Sequence, residues 1–119
     1  MELGDLLTML RKEKGLLQKD VAIYLNLTVA TVSNYEKKVR MPDLETLVRL
    51  ADLYDVSTDY LLQRTRCRTS IRTLGRRLSA DFTVGDLIDT TLHLDRNSIR
   101  FLLECCDLLR QRGRINDMK

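Results

Sequence analysis

The sequence predicts an all-α protein with five short helices in residues 1–63, a linker in residues 64–82 and a helical segment in residues 83–119. The 119 residues include one proline and five glycines, so few positions interrupt a helix. Apolar residues recur at intervals of three and four in successive segments, and the strict alternation typical of strands is absent. With no tryptophan and 5% aromatic residues, the core must consist mainly of aliphatic side chains.

The composition is that of a globular protein, and its charge is unevenly distributed. Apolar residues make up 44% of the chain and charged residues 31%, which argues against a disordered protein. The net charge of +3 combines −2 over residues 1–63 with +5 over residues 64–119. Because this total is modest, any contact with nucleic acid must depend on where individual cations lie.

Leucine spacing marks the first helix, and small apolar residues mark the second. The first helix carries leucines at helical spacing, namely Leu3, Leu6, Leu7 and Leu10. Gly15 follows as a C-terminal stop, because glycine readily adopts the left-handed conformation that ends helices. The second helix runs from about Gln18 to Leu25 and is expected to bury Val21, Ala22 and Leu25.

A tight turn and a capped third helix follow. Asn26 and Leu27 end the second helix, since asparagine tolerates the left-handed backbone that a sharp turn requires. Thr28 is a suitable N-cap for a third helix over residues 29–37. The residues of this helix that are expected to face inward are Val32 and Tyr35.

Two more helices complete the first domain. Pro42 and Asp43 begin the fourth helix, and Ser57 caps the fifth. The predicted apolar stripe of the fourth helix consists of Leu44, Leu47, Val48 and Ala51. The fifth helix carries Tyr60, Leu61 and Leu62. Five helices in about 60 residues are enough for a small domain that folds alone.

Residues 64–82 are rich in arginine, serine and threonine and lack a long apolar stripe, so we expect a linker. The arginines are Arg64, Arg66, Arg68, Arg72, Arg76 and Arg77, with no acidic residue among them. They are expected to form a solvated linker. The alternatives are an extension of a DNA footprint and a binding site for an acidic partner.

The C-terminal segment contains the most strongly periodic helix of the chain. Thr83 and Asp86 form a capping pair for one helix, and Asp95 caps the next, which Gly113 is expected to end. The apolar stripe of this last helix consists of Ile99, Leu102, Leu103, Cys106 and Leu109. This stripe either folds back onto the first domain or pairs with its copy in another chain, and we favour dimerisation.

Two short helices joined by a tight turn fit the dimensions of DNA. The major groove is wide enough for one helix, so a helix held out by its neighbour presents its first side chains to the base edges. Ala22 is small where the two helices approach each other. The outward residues of the third helix are Val29, Ala30, Thr31, Ser33, Asn34 and Lys37.

The run from Gln18 to Glu36, with Arg40-Met-Pro42 and residues 47–62, resembles the phage-repressor and Cro-like helix-turn-helix family, also called the xenobiotic-response-element type. The resemblance covers about residues 3–64. It implies a transcriptional regulator, a repressor that binds an inverted-repeat operator in double-stranded DNA as a homodimer. It implies five helices of the repressor-like type and no enzymatic activity.

The resemblance also implies roles for individual residues. Those expected to contact DNA are Gln18, Thr28, Val29, Ala30, Thr31, Ser33, Asn34, Lys37, Lys38 and Arg40. Gln18 would bond a phosphate; Val29, Ala30 and Asn34 occupy base-reading positions, with Thr31 and Ser33 near bases or backbone. Lys37, Lys38 and Arg40 lie in a loop expected to follow the phosphate backbone. Glu36 corresponds to an acidic residue that holds the domain together.

Three positions set limits on this interpretation. Asn26 and Lys38 stand where the family commonly has glycine. For this reason the sequence does not specify the path of the loop at Lys38. Val29 and Ala30 reach at most a thymine methyl group. Asn34 is the one outward residue suited to a bidentate adenine contact, worth on the order of 1–3 kcal/mol of discrimination. We therefore expect specificity to depend also on DNA shape and paired half-sites.

Other classes of protein find little support in the sequence. There is no nucleophile with a histidine partner, no glycine-rich phosphate loop and no cluster of metal ligands, so we expect no catalysis, cofactor or metal. His93 is expected at a surface or helix end. No apolar run approaches the roughly 20 residues of a membrane span, and the N-terminus lacks a signal pattern, so we expect a cytoplasmic protein.

Two rival hypotheses remain. The first is a protein-interaction module, such as an antitoxin or anti-regulator, whose C-terminal helices bind a partner protein. The second is small-molecule or redox sensing through the C-terminal segment and its adjacent Cys105 and Cys106. We expect these cysteines and Cys67 to be reduced thiols, because three cysteines without ligand spacing in a reducing compartment are ordinarily free.

Overall fold

The protein, seen in a computed structural model, is all-α in the part that the structure describes, which is the backbone of residues 1–117 and the side chains of residues 1–113. The β-structure among these residues consists of an isolated antiparallel bridge between Arg77 and Thr83. The chain divides into two compact units, unit 1 with residues 1–73 and unit 2 beginning at residue 74. The all-α prediction is confirmed.

Eight helices are formed by the described residues. Their bounds are α1 Leu3–Glu13, α2 Gln18–Leu25, α3 Val29–Glu36, α4 Leu44–Tyr54, α5 Thr58–Leu61, α6 Ile71–Leu74, α7 Val84–Leu92 and α8 Arg96–Asp117. The predicted end of the last helix at Gly113 is wrong, because α8 continues to Asp117. A single interior glycine costs only about 1 kcal/mol relative to alanine, which a long helix tolerates. None of the described helices is both long and apolar enough to cross a bilayer.

Local backbone signals set the helix ends of unit 1. Gly15 (φ +67°), Asn26 (φ 56°) and Asp55 (φ 50°) take the left-handed conformation where α1, α2 and α4 end. The side chain of Thr28 accepts the Thr31 N–H at 3.1 Å, as predicted for an N-cap. The same hydrogen bond is formed at four other predicted helix starts, which are Asp43, Ser57, Thr83 and Asp95.

Unit 1 has a single apolar core to which all of α1–α5 contribute. Its buried residues are Leu6, Leu7, Leu10, Val21, Ala22, Leu25, Val32, Tyr35, Leu47, Leu50, Ala51, Tyr54, Val56 and Leu61. The predicted stripe of α4 is partly wrong, since Leu44 is 82% exposed and Val48 is 51% exposed. Leu50 and Tyr54 are buried instead, because the stripe that faces the core is centred on Leu47, Leu50, Ala51 and Tyr54.

The first part of the predicted linker packs onto unit 1. Arg68 Nη2 lies 2.5 Å from Glu13 Oε2, and the Arg68 carbonyl accepts the Ser57 N–H at 3.3 Å. Ser70 is buried, and Arg72 Nη2 lies 3.2 Å from Asp52 Oδ1. Unit 1 therefore ends at residue 73, whereas the predicted domain boundary is at residue 63. The functional division into binding domain, linker and oligomerisation segment stays a prediction.

Unit 2 has helices but no core of its own. No side chain of residues 74–113 is buried, although α7 begins with the predicted capping box of Thr83 and Asp86. His93 ends α7, and its Nδ1 lies 2.7 Å from the Asp89 carbonyl oxygen, so it has the expected helix-end position. Residues 118–119 of the predicted oligomerisation segment lie outside the described residues.

We predict that Gly4→Ala destabilises unit 1, although alanine favours helices. A Cβ at Gly4 would lie 2.6 Å from the Glu36 carbonyl oxygen and 2.7 Å from that of Tyr35. Displacing this backbone should cost more than the helix propensity gained, a net loss of about 1–2 kcal/mol in the free energy of unfolding. Urea denaturation measures it. Gly113→Ala is the control, because its Cβ meets no atom within 4 Å, and equal effects of the two changes would contradict the prediction.

Candidate nucleic-acid interface

The α2–α3 pair is held together by a buried apolar seam and a left-handed turn. Val21, Ala22 and Leu25 of α2 are buried with Val32 and Tyr35 of α3. The turn residue Leu27 donates its N–H to the Ala22 carbonyl at 2.9 Å, which closes the end of α2 directly before the cap of α3. The pair is thus a helix-turn-helix in geometry as well as in sequence pattern.

The first half of α3 lies on the protein surface. Thr28, Val29 and Ala30 are exposed, and Thr31, Ser33 and Asn34 are half-buried. Only two residues of the helix are buried, Val32 and Tyr35, so the opposite face is left to solvent. The residues predicted to face outward therefore do so, while their contact with DNA stays a prediction.

The start of α3 presents a pair of hydroxyl groups beside the helix N-terminus. Thr28 Oγ1 lies 2.8 Å from Thr31 Oγ1, and both groups are accessible at the surface. The unpaired N–H groups and the helix dipole at this end favour an anion. Gln18 is the first residue of α2, where it is half-buried.

The loop after α3 folds back onto the end of the helix. The Asn34 carbonyl oxygen accepts the N–H groups of Val39 at 2.9 Å and Arg40 at 3.2 Å. Lys37 and Arg40 are exposed and form no ion pair within the described part of the chain. The loop therefore offers two cations next to the outward face of α3.

Lys38 differs from its two neighbours because its side chain is directed to the start of α1. It adopts φ 67°, which explains why glycine suits this position. Its Nζ lies 3.1 Å from Asp5 Oδ2 and 3.6 Å from Glu2 Oε2. The hydrogen bond with Asp5 raises the pKa of Lys38, and the same bond lowers the pKa of Asp5. Lys38 is thus engaged within the protein.

A buried ion pair fixes the other end of α3. Arg11 Nε donates to both carboxylate oxygens of Glu36 at 3.0 and 3.1 Å, and Thr8 Oγ1 donates to Glu36 Oε1 at 3.0 Å. The Glu36 side chain is 7% exposed and that of Arg11 is 13% exposed. The structural role expected for Glu36 agrees with this geometry. Its partner Arg11 was not identified from the sequence.

A second arginine that sequence analysis did not single out caps α2. Arg49 of α4 donates from Nη1 to the Leu25 carbonyl at 2.9 Å and from Nη2 to the Tyr24 carbonyl at 2.5 Å. Its guanidinium also lies over the Tyr24 ring, 5.6 Å from the ring centroid. These carbonyls have no partner within α2, so Arg49 satisfies them and holds the turn before α3.

The predicted dimerisation residues are unevenly covered. Ile99 and Leu102 are half-buried, Leu103 and Leu109 are 60% and 63% exposed, and Cys106 is exposed. Two large apolar residues of α8 that the predicted stripe does not include are about as exposed as Leu103 and Leu109. They are Phe101 at 68% and Leu108 at 66%. Their spacing of seven residues places them on one line of the helix.

Comparison with known proteins assigns the chain to a family. A helix-turn-helix family matches residues 7–61. The HTH-type transcriptional regulator AnsR of Bacillus subtilis is 37% identical over 84 residues, which is 68% of this chain and 72% of AnsR. The chain belongs to the helix-turn-helix transcriptional regulators. This regulator is also 48% identical over 62 residues to ImmR of Bacillus subtilis, and it spans about half of the length of ImmR. The predicted family is confirmed, and its members are regulators and not enzymes.

Solved structures agree on the fold of this helix-turn-helix regulator. The P22 c2 repressor in complex with a synthetic operator matches 51% of the chain, and 92% of the repressor, with a TM-score of 0.50 and 23% identity. A transcriptional regulator from Listeria innocua matches 92% of the chain, and 94% of that protein, with a TM-score of 0.52 and 23% identity. The fold is thus repressor-like.

We predict that Glu36→Ala strongly destabilises this regulator, because the largely buried Arg11 guanidinium loses its partner. Removing one member of such a pair costs about 3–5 kcal/mol when it is fully buried, and we expect the lower end of this range. Thermal and urea unfolding measure the loss. The matched control Asp52→Ala breaks the exposed pair with Arg72 and should cost at most about 1 kcal/mol. A loss for Glu36→Ala as small as that of the control would show that this pair does not hold α3.

Proposed function

We propose that this regulator binds an inverted-repeat operator in double-stranded DNA as a homodimer and represses transcription there. The observation that carries the proposal is the surface of α3. The first half of α3 is exposed on one face, while the opposite face of the helix is buried against the core of unit 1. The exposed face is therefore free to enter a major groove. Because the proposed ligand is operator DNA, we propose that the protein acts in the cytoplasm.

Base reading falls to the residues of α3 that face outward. Asn34 is suited to donate to adenine N7 and accept from its amino group, while Val29 and Ala30 suit a thymine methyl group. Thr31 and Ser33 lie beside them, near bases or backbone. Because so few side chains read bases directly, we expect DNA shape and the pairing of two half-sites to contribute to sequence specificity.

Phosphate contacts position the helix in the groove. We assign them to Gln18 and Thr28 at the two helix N-termini and to Lys37 and Arg40 in the loop after α3. Lys38 stood among these contacts in the sequence prediction. Asp5 and Glu2 hold the ammonium group of Lys38, so a phosphate would have to displace two carboxylates. We therefore expect Lys38 to contribute less to DNA affinity than Lys37 or Arg40.

The exposed apolar surface of unit 2 supports a homodimer. Ten large apolar side chains of residues 74–113 are exposed, among them Phe101, Leu103, Leu108 and Leu109 of α8. A standard interface buries about 800 Å² per partner, to which a neighbouring group of these side chains would contribute the apolar part. A second copy would cover this surface and bring a second recognition helix to the operator.

The same surface also supports the rival function. A small helical partner protein, as expected for an antitoxin or anti-regulator, would cover the exposed side chains of unit 2 equally well. Sedimentation of the purified regulator separates the two functions. A self-associated species at micromolar concentration favours the homodimer, while a monomer that dimerises only with an unrelated protein favours the rival.

We predict that Asn34→Ala relaxes base preference at one position of each half-site, by about 1–3 kcal/mol. Lys37→Ala should instead weaken all sequences alike and lower the slope of log affinity against log salt by about one. Selection of bound sequences from random duplexes, followed by salt titration, measures both. If neither change altered binding, the docking of α3 in the groove would be wrong.

We predict that Leu108→Glu prevents dimerisation, because it places a charge in an apolar surface that must be desolvated. Analytical ultracentrifugation should show a monomer, and affinity for the full inverted repeat should fall towards that for one half-site. Ser79→Glu adds the same charge at an exposed position of unit 2 outside α8 and serves as the control. Unchanged dimerisation of Leu108→Glu would exclude this part of α8 from the interface.

A further inference from the structure

The arginines of residues 64–72 separate into paired and unpaired groups. Arg64, Arg68 and Arg72 each lie within 3.6 Å of a carboxylate, belonging to Asp59, Glu13 and Asp52. Their spacing of four residues secures the segment to three helices of unit 1. Arg66 lies between them, is exposed, and forms no ion pair within the described residues. It therefore keeps an uncompensated charge.

Arg66 lines a cleft of about 610 Å³ on unit 1. Leu6 and Tyr60 contribute to its walls, together with residues 63–66 and Met1. Among the described residues no carboxylate lines the cleft, although Asp59 lies 3.6 Å from Arg64 Nη1. The uncompensated charge at this cleft is therefore that of Arg66, which favours an anion, and a guanidinium group matches the geometry of a phosphate.

This cleft continues towards the loop after α3. A second cleft of about 280 Å³ shares Met1 and Gln63 with the first and extends to Lys38 and Arg40. Among the described residues its one lining carboxylate is that of Glu2, which shares Lys38 Nζ with Asp5, so Arg40 supplies the unpaired cation of this second cleft. The two adjoining clefts thus connect Arg66 with Arg40 of the loop expected to follow the DNA backbone.

We propose that the cleft at residues 63–66 binds a phosphate of the operator outside the segment read by α3, with Arg66 as its main contact. This inference rests on the proposed DNA-binding function and extends its footprint to a surface that the helix-turn-helix does not include. The segment that the sequence presents as a linker is then a part of the binding surface. Arg64 and Arg68, which flank Arg66 and are paired with carboxylates, hold the backbone on either side of it, and Arg66 contacts the ligand.

The test compares Arg66→Ala with Arg72→Ala, which removes the same charge from the same segment outside this cleft. Both variants are first shown to be folded by thermal unfolding. Affinity is then measured between 50 and 200 mM salt on a long duplex and on a duplex cut back to the two half-sites. The long duplex extends each half-site by about five base pairs, half a helical turn.

On the long duplex, Arg66→Ala should lower the salt slope by about 0.9, so the ratio of affinities at the two salt concentrations falls roughly 3.5-fold. On the short duplex it should behave as the wild type, and Arg72→Ala should leave both slopes unchanged. Equal losses for both variants, or an equal loss on both duplexes, would overturn the proposal, since they indicate an effect of net charge or a contact inside the half-sites.

A free phosphate ion is the other ligand that the cleft could bind. Titration of the wild type with inorganic phosphate, followed by NMR of the Arg66 guanidinium, detects such binding. Saturation by free phosphate, with no dependence of DNA affinity on duplex length, would overturn the proposal.

Failure of the proposed function is distinguishable from failure of this inference. If the long duplex binds with the base preference of Asn34 intact and Arg66→Ala has no effect, only the extended footprint is wrong, whereas no specific binding to any duplex contradicts the function itself.

Discussion

The ion pair between Arg11 and Glu36 is the constraint on which the candidate interface depends. It joins the end of α1 to the end of α3, and its two charges are almost completely removed from water. A buried pair of this kind adds little net stability, yet it requires one relative placement of its two helices. The hydroxyl of Thr8 adds a further hydrogen bond to the same carboxylate and so joins a second residue of α1 to the end of α3.

The opposite end of α3 is fixed by different means. Asn26 takes the left-handed conformation, and Arg49 satisfies the two carbonyl groups that precede this turn. The recognition helix is therefore held at both ends by polar contacts and along its length by Val32 and Tyr35. Such rigidity suits base reading, because side chains that are already positioned lose less entropy when they bind.

The two units differ in what they need for stability. Unit 1 buries a continuous aliphatic core and secures even the arginine segment that follows α5. Unit 2 leaves ten large apolar side chains exposed and buries none in its described part. In the proposed homodimer, a segment without buried side chains gains stability from its partner, so assembly and the folding of unit 2 depend on each other. The proposed function thus places DNA recognition and assembly in separate parts of the chain.

The sequence by itself determined the all-α class, most helix bounds of unit 1 and the helix-turn-helix. These features depend on local signals, such as the caps Thr28 and Ser57 or the left-handed Asn26, whose physical cause lies within a few residues. The tertiary structure decided which charges are free. Lys38 is engaged by Asp5, and Arg68 pairs with a residue 55 positions away, whereas Arg66 has no ion-pair partner among the side chains of residues 1–113. Charge pairing and the exact face of α4 that is buried depend on contacts between distant segments, and a one-dimensional pattern does not specify these.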